Sequence, residues 1–391
     1  MTRIENRRRW AAVLLALPLL PLVALNCRRV IQAFVRVPLD SDFAQYYLIS
    51  RVGLERGFGA IYDLAAERVE WTRLGLTVWF PNPDTPALAW ALAPLAALPY
   101  PVAARAWTLV LVALLLLTWR LAAPDRGRLW HLGLAIAFYP VMFAVALGQV
   151  VLVVAAAVAL GCHLLRRDRQ VAAGLVLSAI ALKPQLALVV PFALLAAGYR
   201  RAFGTWAAIS LALAAAAVVS LGPAGTTRYL GRLVSAGSTV ETARALLVNT
   251  DLTVRAIAHQ PALAWATEAL LAAVAIVVAR RRRGSGPELP VAAGIVGSLL
   301  FTPFIHVQDL TMLLVAGWLH LRSRREAAAF LAVGYVAAQL ATASGLFALA
   351  FEAAWLAVLA SPGIRPSPSP APPAAPAAVP APVPSTARPA G

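Results

Sequence analysis

Lysine occurs once in 391 residues, at Lys183, and cysteine only twice, at Cys27 and Cys162. Charge of either sign is scarce. Asp, Glu, Lys and Arg together make up 13% of the chain, about half the share usual in soluble domains. The cysteines are far apart, and no CxxC or Cys/His cluster exists, which excludes a zinc site. Cys27 follows an apolar stretch, as a lipidated cysteine would, but Ala24-Leu25-Asn26 lacks the small residue needed just before it. No resident metal and no cofactor are expected.

What the chain has in abundance is apolar surface. Its composition is 61% hydrophobic, and apolar stretches recur along nearly the whole length. A water-soluble fold of this composition would expose large apolar areas, so the bilayer is the solvent. The net charge is +17, and all of the 34 basic residues except Lys183 are Arg. Such a balance raises nucleic-acid binding. The Arg residues, however, form short runs between apolar segments, the pattern of cytoplasmic loops under the positive-inside rule.

The Arg runs at 7–9, 120–128, 166–169, 200–201, 280–283 and 322–325 set the expected orientation. With the first inside, an uncleaved first span is expected at about 10–26, rather than a signal peptide. Further spans are expected at 102–120, 129–147, 150–166, 171–182, 185–198, 204–221, 262–279, 289–302, 309–321, 326–343 and 346–360. These make a polytopic all-α helical bundle of about twelve spans, occupying 1–360. Every Arg run then falls on one side. Extracytoplasmic loops are expected at 27–85 and 222–261. Residues 86–98 are too short to span comfortably and read as a re-entrant or interfacial helix. The Pro/Ala-rich segment 361–391 cannot build a core and reads as a disordered cytoplasmic tail. The pairs 171–182/185–198 and 289–302/309–321 are short and meet at polar breaks, which are tolerated in a membrane only where they are buried or line a cavity.

This topology gathers the remaining polar residues on the outer side. They are Asp40-Ser41-Asp42 with Tyr46-Tyr47, Gly148-Gln149, Lys183-Pro184-Gln185, Asn249-Thr250-Asp251, and Thr302-Pro303 with His306 and Asp309. Asp42, just past the first span, suits a general base that takes an acceptor hydroxyl's proton during sugar transfer. Alternatively, Asp40 or Asp42 caps a helix over 43–56. Asp40-Ser41-Asp42 also reads as a DxD metal motif, a three-residue match only. Lys183 suits a phosphate oxygen, or simply snorkels to the interface. His306 suits hydrogen bonding or proton relay, or a buried turn. Gln149 and Asn249 suit sugar hydroxyls, or helix ends. Arg51, Arg56 and Arg73 read more readily as partners of Glu55, Glu67 and Glu70 than as phosphate ligands, with Arg51/Glu55 an i,i+4 pair.

These clusters, in this order, resemble the GT87 glycosyltransferases. The resemblance rests on Asp42-Phe43 with Tyr46-Tyr47 and Tyr62-Asp63, and on Pro94-Leu95-Ala96-Ala97-Leu98-Pro99. It continues through Gly148-Gln149-Val150, Leu182-Lys183-Pro184-Gln185, and Thr302-Pro303 with His306 and Asp309. It covers about residues 35–320. It implies a GT-C fold, a polyprenyl-phosphate sugar donor, typically mannose, and inverting transfer to a glycolipid or glycan acceptor hydroxyl. It implies that the aspartate of the first outer loop is the base, here Asp42 with Asp40 second. Lys183, His306, Gln185, Gln149, Asp309, Asn249 and Tyr46 are then expected at the donor phosphate and sugar. The expected location is the plasma membrane, with both termini cytoplasmic and the active site outside. The rival reading, a lipid or solute transporter, does not account for the polar loop after span one.

Overall fold

The computed structural model describes residues 17, 19–76, 83–235, 252–256, 258 and 260–361. Among the described residues there are sixteen α-helices and no strand. The first, α1 (Leu19–Arg36), runs ten residues past the expected end of span one. The reason is Asn26. It is buried at 2% exposure, and its amide donates to the carbonyls of Ile136 and Ala137 at 2.9 and 3.2 Å, so no break is needed there. The helix stops where Val37 takes a left-handed φ of 52°, a rare state for a β-branched residue, and Pro38 follows.

The stretch expected as the first outer loop is itself helical. It contains α2 (Asp42–Arg56) and α3 (Leu64–Arg73) and leads into α4 (Pro86–Ala96). At eleven residues, α4 is about 16 Å long, too short to cross about 30 Å of hydrocarbon. Its Leu88, Ala89 and Leu92 are buried, and it packs against α2.

The remaining helices form the apolar body. They are α5 (Tyr100–Ala122), α6 (Arg128–Ala137), α7 (Tyr139–Leu147), α8 (Val151–Arg166), α9 (Gln170–Leu177), α10 (Val189–Ala197) and α11 (Arg200–Ser235). After them come α12 (Pro261–Arg281), α13 (Glu288–Phe301), α14 (Thr311–Ser323), α15 (Ala328–Gln339) and α16 (Leu346–Ala360). By length and composition α5, α11 and α12 can each cross a membrane, and α6 with α7 makes a fourth if the bent pair is one span. Leu109, Leu116, Leu211, Val219, Leu270 and Val277 on the three long helices are exposed. A row of exposed aliphatic side chains on apolar helices is a lipid-facing surface, so the chain is a membrane protein.

Most of the other expected spans fall on shorter helices, and several of these meet at polar breaks that are chemically satisfied. Expected span 129–147 bends by 64° between α6 and α7, because Pro140 lacks an N–H and crowds the preceding turn. The groups this frees are taken by side chains. Asn26 and Gln339 donate to Ala137 O, and the Tyr139 N–H donates to Gln339 Oε1 at 2.8 Å. Close helix packing uses small residues. A side chain at Gly294 of α13 would lie 2.6 Å from the Val190 backbone on α10.

The stretch expected as the second outer loop, 222–261, begins as helix. The chain stays helical to Ser235 across a kink at Gly222 (φ 63°, ψ −179°), a backbone state glycine adopts freely. The segment beyond the kink docks on α3 and the turn before it. Arg232 pairs with the buried Glu67 at 2.9 Å and Arg228 with Asp63 at 3.1 Å. The Tyr62 and Tyr229 rings stack at 4.7 Å.

The Arg runs interlock at one end of the body. Arg166, in the last turn of α8, donates to Leu121 O at 3.0 Å and pairs with Glu288 at 3.3 Å. Arg322, in the last turn of α14, donates to Ala123 O at 2.7 Å, and Arg282 donates to Leu359 O at 2.7 Å. Gln149 and Asp309 sit at the opposite ends of α8 and α14. The two ends of α8 are separated by about 24 Å, sixteen residues at 1.5 Å each.

Candidate functional site

Opposite the arginine end, four chain breaks meet. The first is the start of α2. Its N-cap is Ser41, whose hydroxyl accepts from the Ala44 N–H at 3.3 Å. The expected Asp cap is therefore corrected: the shorter hydroxyl serves the backbone, and Asp42 is left for other contacts. The second break is the turn from α7 to α8. Gly148 has φ 74°, and a side chain there would approach Phe43 Cβ to 2.6 Å. Only glycine lets this turn press against α2. The Trp107 indole holds it by donating to Gly148 O at 2.7 Å.

The third break is at Lys183. A 3₁₀ turn, Ser178–Leu182, ends there, and Lys183 is extended (φ −149°, ψ 78°) before Pro184, as a residue preceding proline prefers. The fourth is the break after α13, where Thr302 precedes Pro303 and a short 3₁₀ helix, Val307–Leu310, carries Asp309.

These turns place one hydrogen-bonded chain of side chains. Lys183 Nζ donates to Asp309 Oδ1 at 2.6 Å and to Gln149 Oε1 at 3.1 Å. Tyr46 OH also donates to Gln149 Oε1, at 3.0 Å. With two donors on its oxygen, the Gln149 amide can face only one way, and its Nε2 donates to Asp42 Oδ2 at 2.5 Å. Asp309 Oδ2 accepts the His306 main-chain N–H at 3.1 Å, and the His306 ring lies edge-on to Phe304 at 4.5 Å. Lys183 and Asp309 are buried, so their charges rely on each other.

Asp42 differs from the rest of the chain. It keeps some surface exposure but lies among enough protein that desolvation pushes its carboxyl pKa up, against the charges of Lys183 and His306 and the Gln149 hydrogen bond. Its Oδ1 makes no hydrogen bond among the described residues, so a lone pair is open to a substrate. Ammonium chemistry leaves one more opening. Lys183 has three N–H groups and uses two among the described residues.

Not every expected residue is brought in. Asp42, Tyr46, Gln149, Lys183, His306 and Asp309 converge. Asp40 is exposed and bonds to none of them, so the two ends of Asp40-Ser41-Asp42 diverge. No bond joins Gln185 to the cluster. Asn249 lies outside the described residues, as does the tail 362–391. The expected pairing of the outer-loop arginines is observed: Arg51 with Glu55, and Arg73 with Glu55 and Glu70 at 2.7 and 2.9 Å.

One carboxylate was missed. Asp84 acts on the charge of Lys183 together with Asp309 and Asp42. The Thr85 hydroxyl, next in sequence, donates to Ala181 O at 2.8 Å and ties this strip to the Lys183 turn. The available signal was an acidic residue between two prolines, Pro83-Asp84-Thr85-Pro86, where the outer loop enters α4.

A small, mostly apolar crevice abuts this cluster. It runs between α1 and α5, with Phe34, Val37, Tyr100 and Trp107 on its walls, and it ends on Phe43 and Gly148, the neighbours of Asp42 and Gln149. No curated protein and no solved structure matches the chain. A family model does, over residues 84–303, more than half of the chain, and its description is glycosyltransferase family 87.

Proposed function

The chain belongs to glycosyltransferase family 87, and from that premise we propose that it moves a sugar, mannose by the family resemblance, from a polyprenyl-phosphate donor to an acceptor hydroxyl. The observation that supports this best is the Asp42–Gln149–Lys183–Asp309 chain of hydrogen bonds. It sets a carboxylate with an open oxygen beside an ammonium with an open N–H.

In this reading the acceptor oxygen attacks the donor's anomeric carbon from the face opposite the phosphate. As the new C–O bond forms, Asp42 Oδ1 takes the hydroxyl proton. The bond from the anomeric carbon to the phosphate oxygen breaks, and its electron pair leaves with the phosphate. The configuration inverts in one displacement. The third N–H of Lys183 and the His306 ring receive the charge that develops on the leaving oxygen. Gln149 is a positioning residue. Its amide, locked by Lys183 and Tyr46, turns Asp42 so that Oδ1 faces the acceptor. The polyprenyl chain lies in the bilayer, where each buried methylene contributes about 0.8 kcal/mol.

The proposed topology keeps the twelve spans, with the arginine end and both termini in the cytoplasm and the Asp42 end outside the plasma membrane. Residues 1–360 form the catalytic unit, and 361–391 are dispensable for turnover.

The test is transfer from polyprenyl-phosphate mannose into a membrane lipid extract by purified wild type and Asp42→Asn. The expected loss is roughly 10²- to 10⁴-fold, the usual worth of a positioned base. The base must be ionised to act, and its pKa is raised. Wild-type activity should therefore fall, as pH is lowered, above the ordinary aspartate value of about 3.9. Equal transfer by the two proteins removes Asp42 from the chemistry.

A further inference from the structure

Four arginines stand away from the arginine end of the body. Arg28, Arg29 and Arg36 lie on the half of α1 that leads to Asp42, and Arg105 of α5 meets the end of that helix. The positive-inside rule gives no reason for charge there. All four are exposed, and α1 has no acidic residue of its own. Arg28, Gln32 and Arg36 recur at every fourth position, so they form one stripe along the helix, with Arg29 beside it. Arg28 and Arg36 have no hydrogen-bond or ion-pair partner among the described residues. Arg29 has the face of the Tyr139 ring, 5.0 Å away. Arg105 donates to Phe34 O and Val35 O at 3.3 and 3.4 Å, which closes the last turn of α1. Around the stripe the helix exposes Leu20, Leu22, Leu25, Ile31 and Val35, a lipid-facing surface.

Depth makes these charges costly. Asn26 bonds Ile136 and Ala137 at the far end of α6, a helix that starts at the arginine end and is about 15 Å long. Arg28 and Arg29 follow Asn26 directly, so they stand well inside the apolar body. An arginine facing hydrocarbon is expensive unless water or an anion reaches it. The body is thin on this side. α1 packs on α6 and α7, whose legs of about 15 and 14 Å bend by 64°, leaving their outer ends about 24 Å apart. That is less than about 30 Å of hydrocarbon, and a bilayer meets a short apolar body by thinning. Thinning brings lipid phosphates down to the stripe, where guanidinium forks match phosphate oxygens.

We infer that the Arg28–Arg29–Arg36 stripe binds the phosphate headgroup of an anionic phospholipid whose acyl chains lie against Ile31 and Val35. Three cations with no acid on the helix select a headgroup of net negative charge over a zwitterion. The lipid is a resident of the bilayer and takes no part in sugar transfer.

The test places a fluorophore on the stripe. In a Cys27→Ser background, Ile31→Cys is labelled with bimane, and the full chain is reconstituted in phosphatidylcholine vesicles. Nitroxide-labelled phosphatidylglycerol is compared with nitroxide-labelled phosphatidylcholine as quencher. Half-maximal quenching should need a roughly fivefold smaller fraction of the anionic lipid, the worth of one arginine near such a lipid. High salt should shrink that preference without any substitution. Changing Arg28, Arg29 and Arg36 together to Gln should abolish it, and changing all three to Lys should keep it. Asp42→Asn should leave it unchanged, so the result stands apart from the fate of the proposed base. Equal quenching by the two lipids in the wild-type stripe overturns the inference, and so does an undiminished preference in the Gln variant. Loss of the preference on adding polyprenyl phosphate would assign the stripe to the donor and overturn it too.

Discussion

At one end of the helices Arg166, Arg282 and Arg322 donate to main-chain carbonyls of Leu121, Leu359 and Ala123. At the other, Lys183, Gln149, Asp309 and Asp42 bond to one another, to Tyr46 and to the His306 N–H. The carbonyls at the first end belong to the last turns of α5 and α16 or lie just beyond them, where no helical partner exists. The arginines there close helix ends and lie favourably on the negative pole of the dipole. At the second end, charges removed from water have only each other. Buried pairs of that kind are weak stabilisers, and removing one member is costly. Polar side chains thus serve structure at one end and, under the proposed mechanism, chemistry at the other.

The contrast breaks or sharpens under substitution. Lys183→Met leaves Asp309 buried without its cation and should destabilise the protein by about 3–5 kcal/mol, read as a lowered midpoint in detergent unfolding. The double change Lys183→Met with Asp309→Leu removes both charges. It should recover most of the midpoint while leaving transfer abolished. Recovery of transfer along with stability would make the pair merely structural. A smaller effect is expected at the other end. Arg322→Ala gives up one hydrogen bond to Ala123 O and a partly exposed pair with Asp125, worth roughly 1 kcal/mol. Its turnover should be near wild type. A loss of transfer as large as that of Asp42→Asn would erase the distinction between the ends.

Much of this arrangement was legible in the sequence, because polar residues in an apolar chain stand out against their neighbours. The Arg runs marked one end, and Gly148-Gln149, Lys183-Pro184 and His306 with Asp309 marked the breaks that meet at the other. What could not be read depends on contacts between distant residues. The length of α1 rests on Asn26 reaching Ile136 and Ala137. Asp84 comes to the site through Thr85 bonding a carbonyl ninety-six residues away. The helix past Gly222 is fixed by pairs with Asp63, the N-cap of α3, and Glu67 on α3, which no local pattern discloses. Ser41 displaced Asp42 as the cap by occupying the N-cap position itself, a choice that adjacent candidates leave open.

The opposition of the two ends across the bilayer is tested most directly by thiol labelling in intact cells. In a Cys27→Ser background, Asp40→Cys and Arg126→Cys place single thiols at exposed positions of the two ends, with Cys162 buried. A membrane-impermeant maleimide should label Asp40→Cys in intact cells and Arg126→Cys only after permeabilisation. Labelling of both from outside, or the reverse order, would contradict the placement of Asp42 and Lys183 on the outer face.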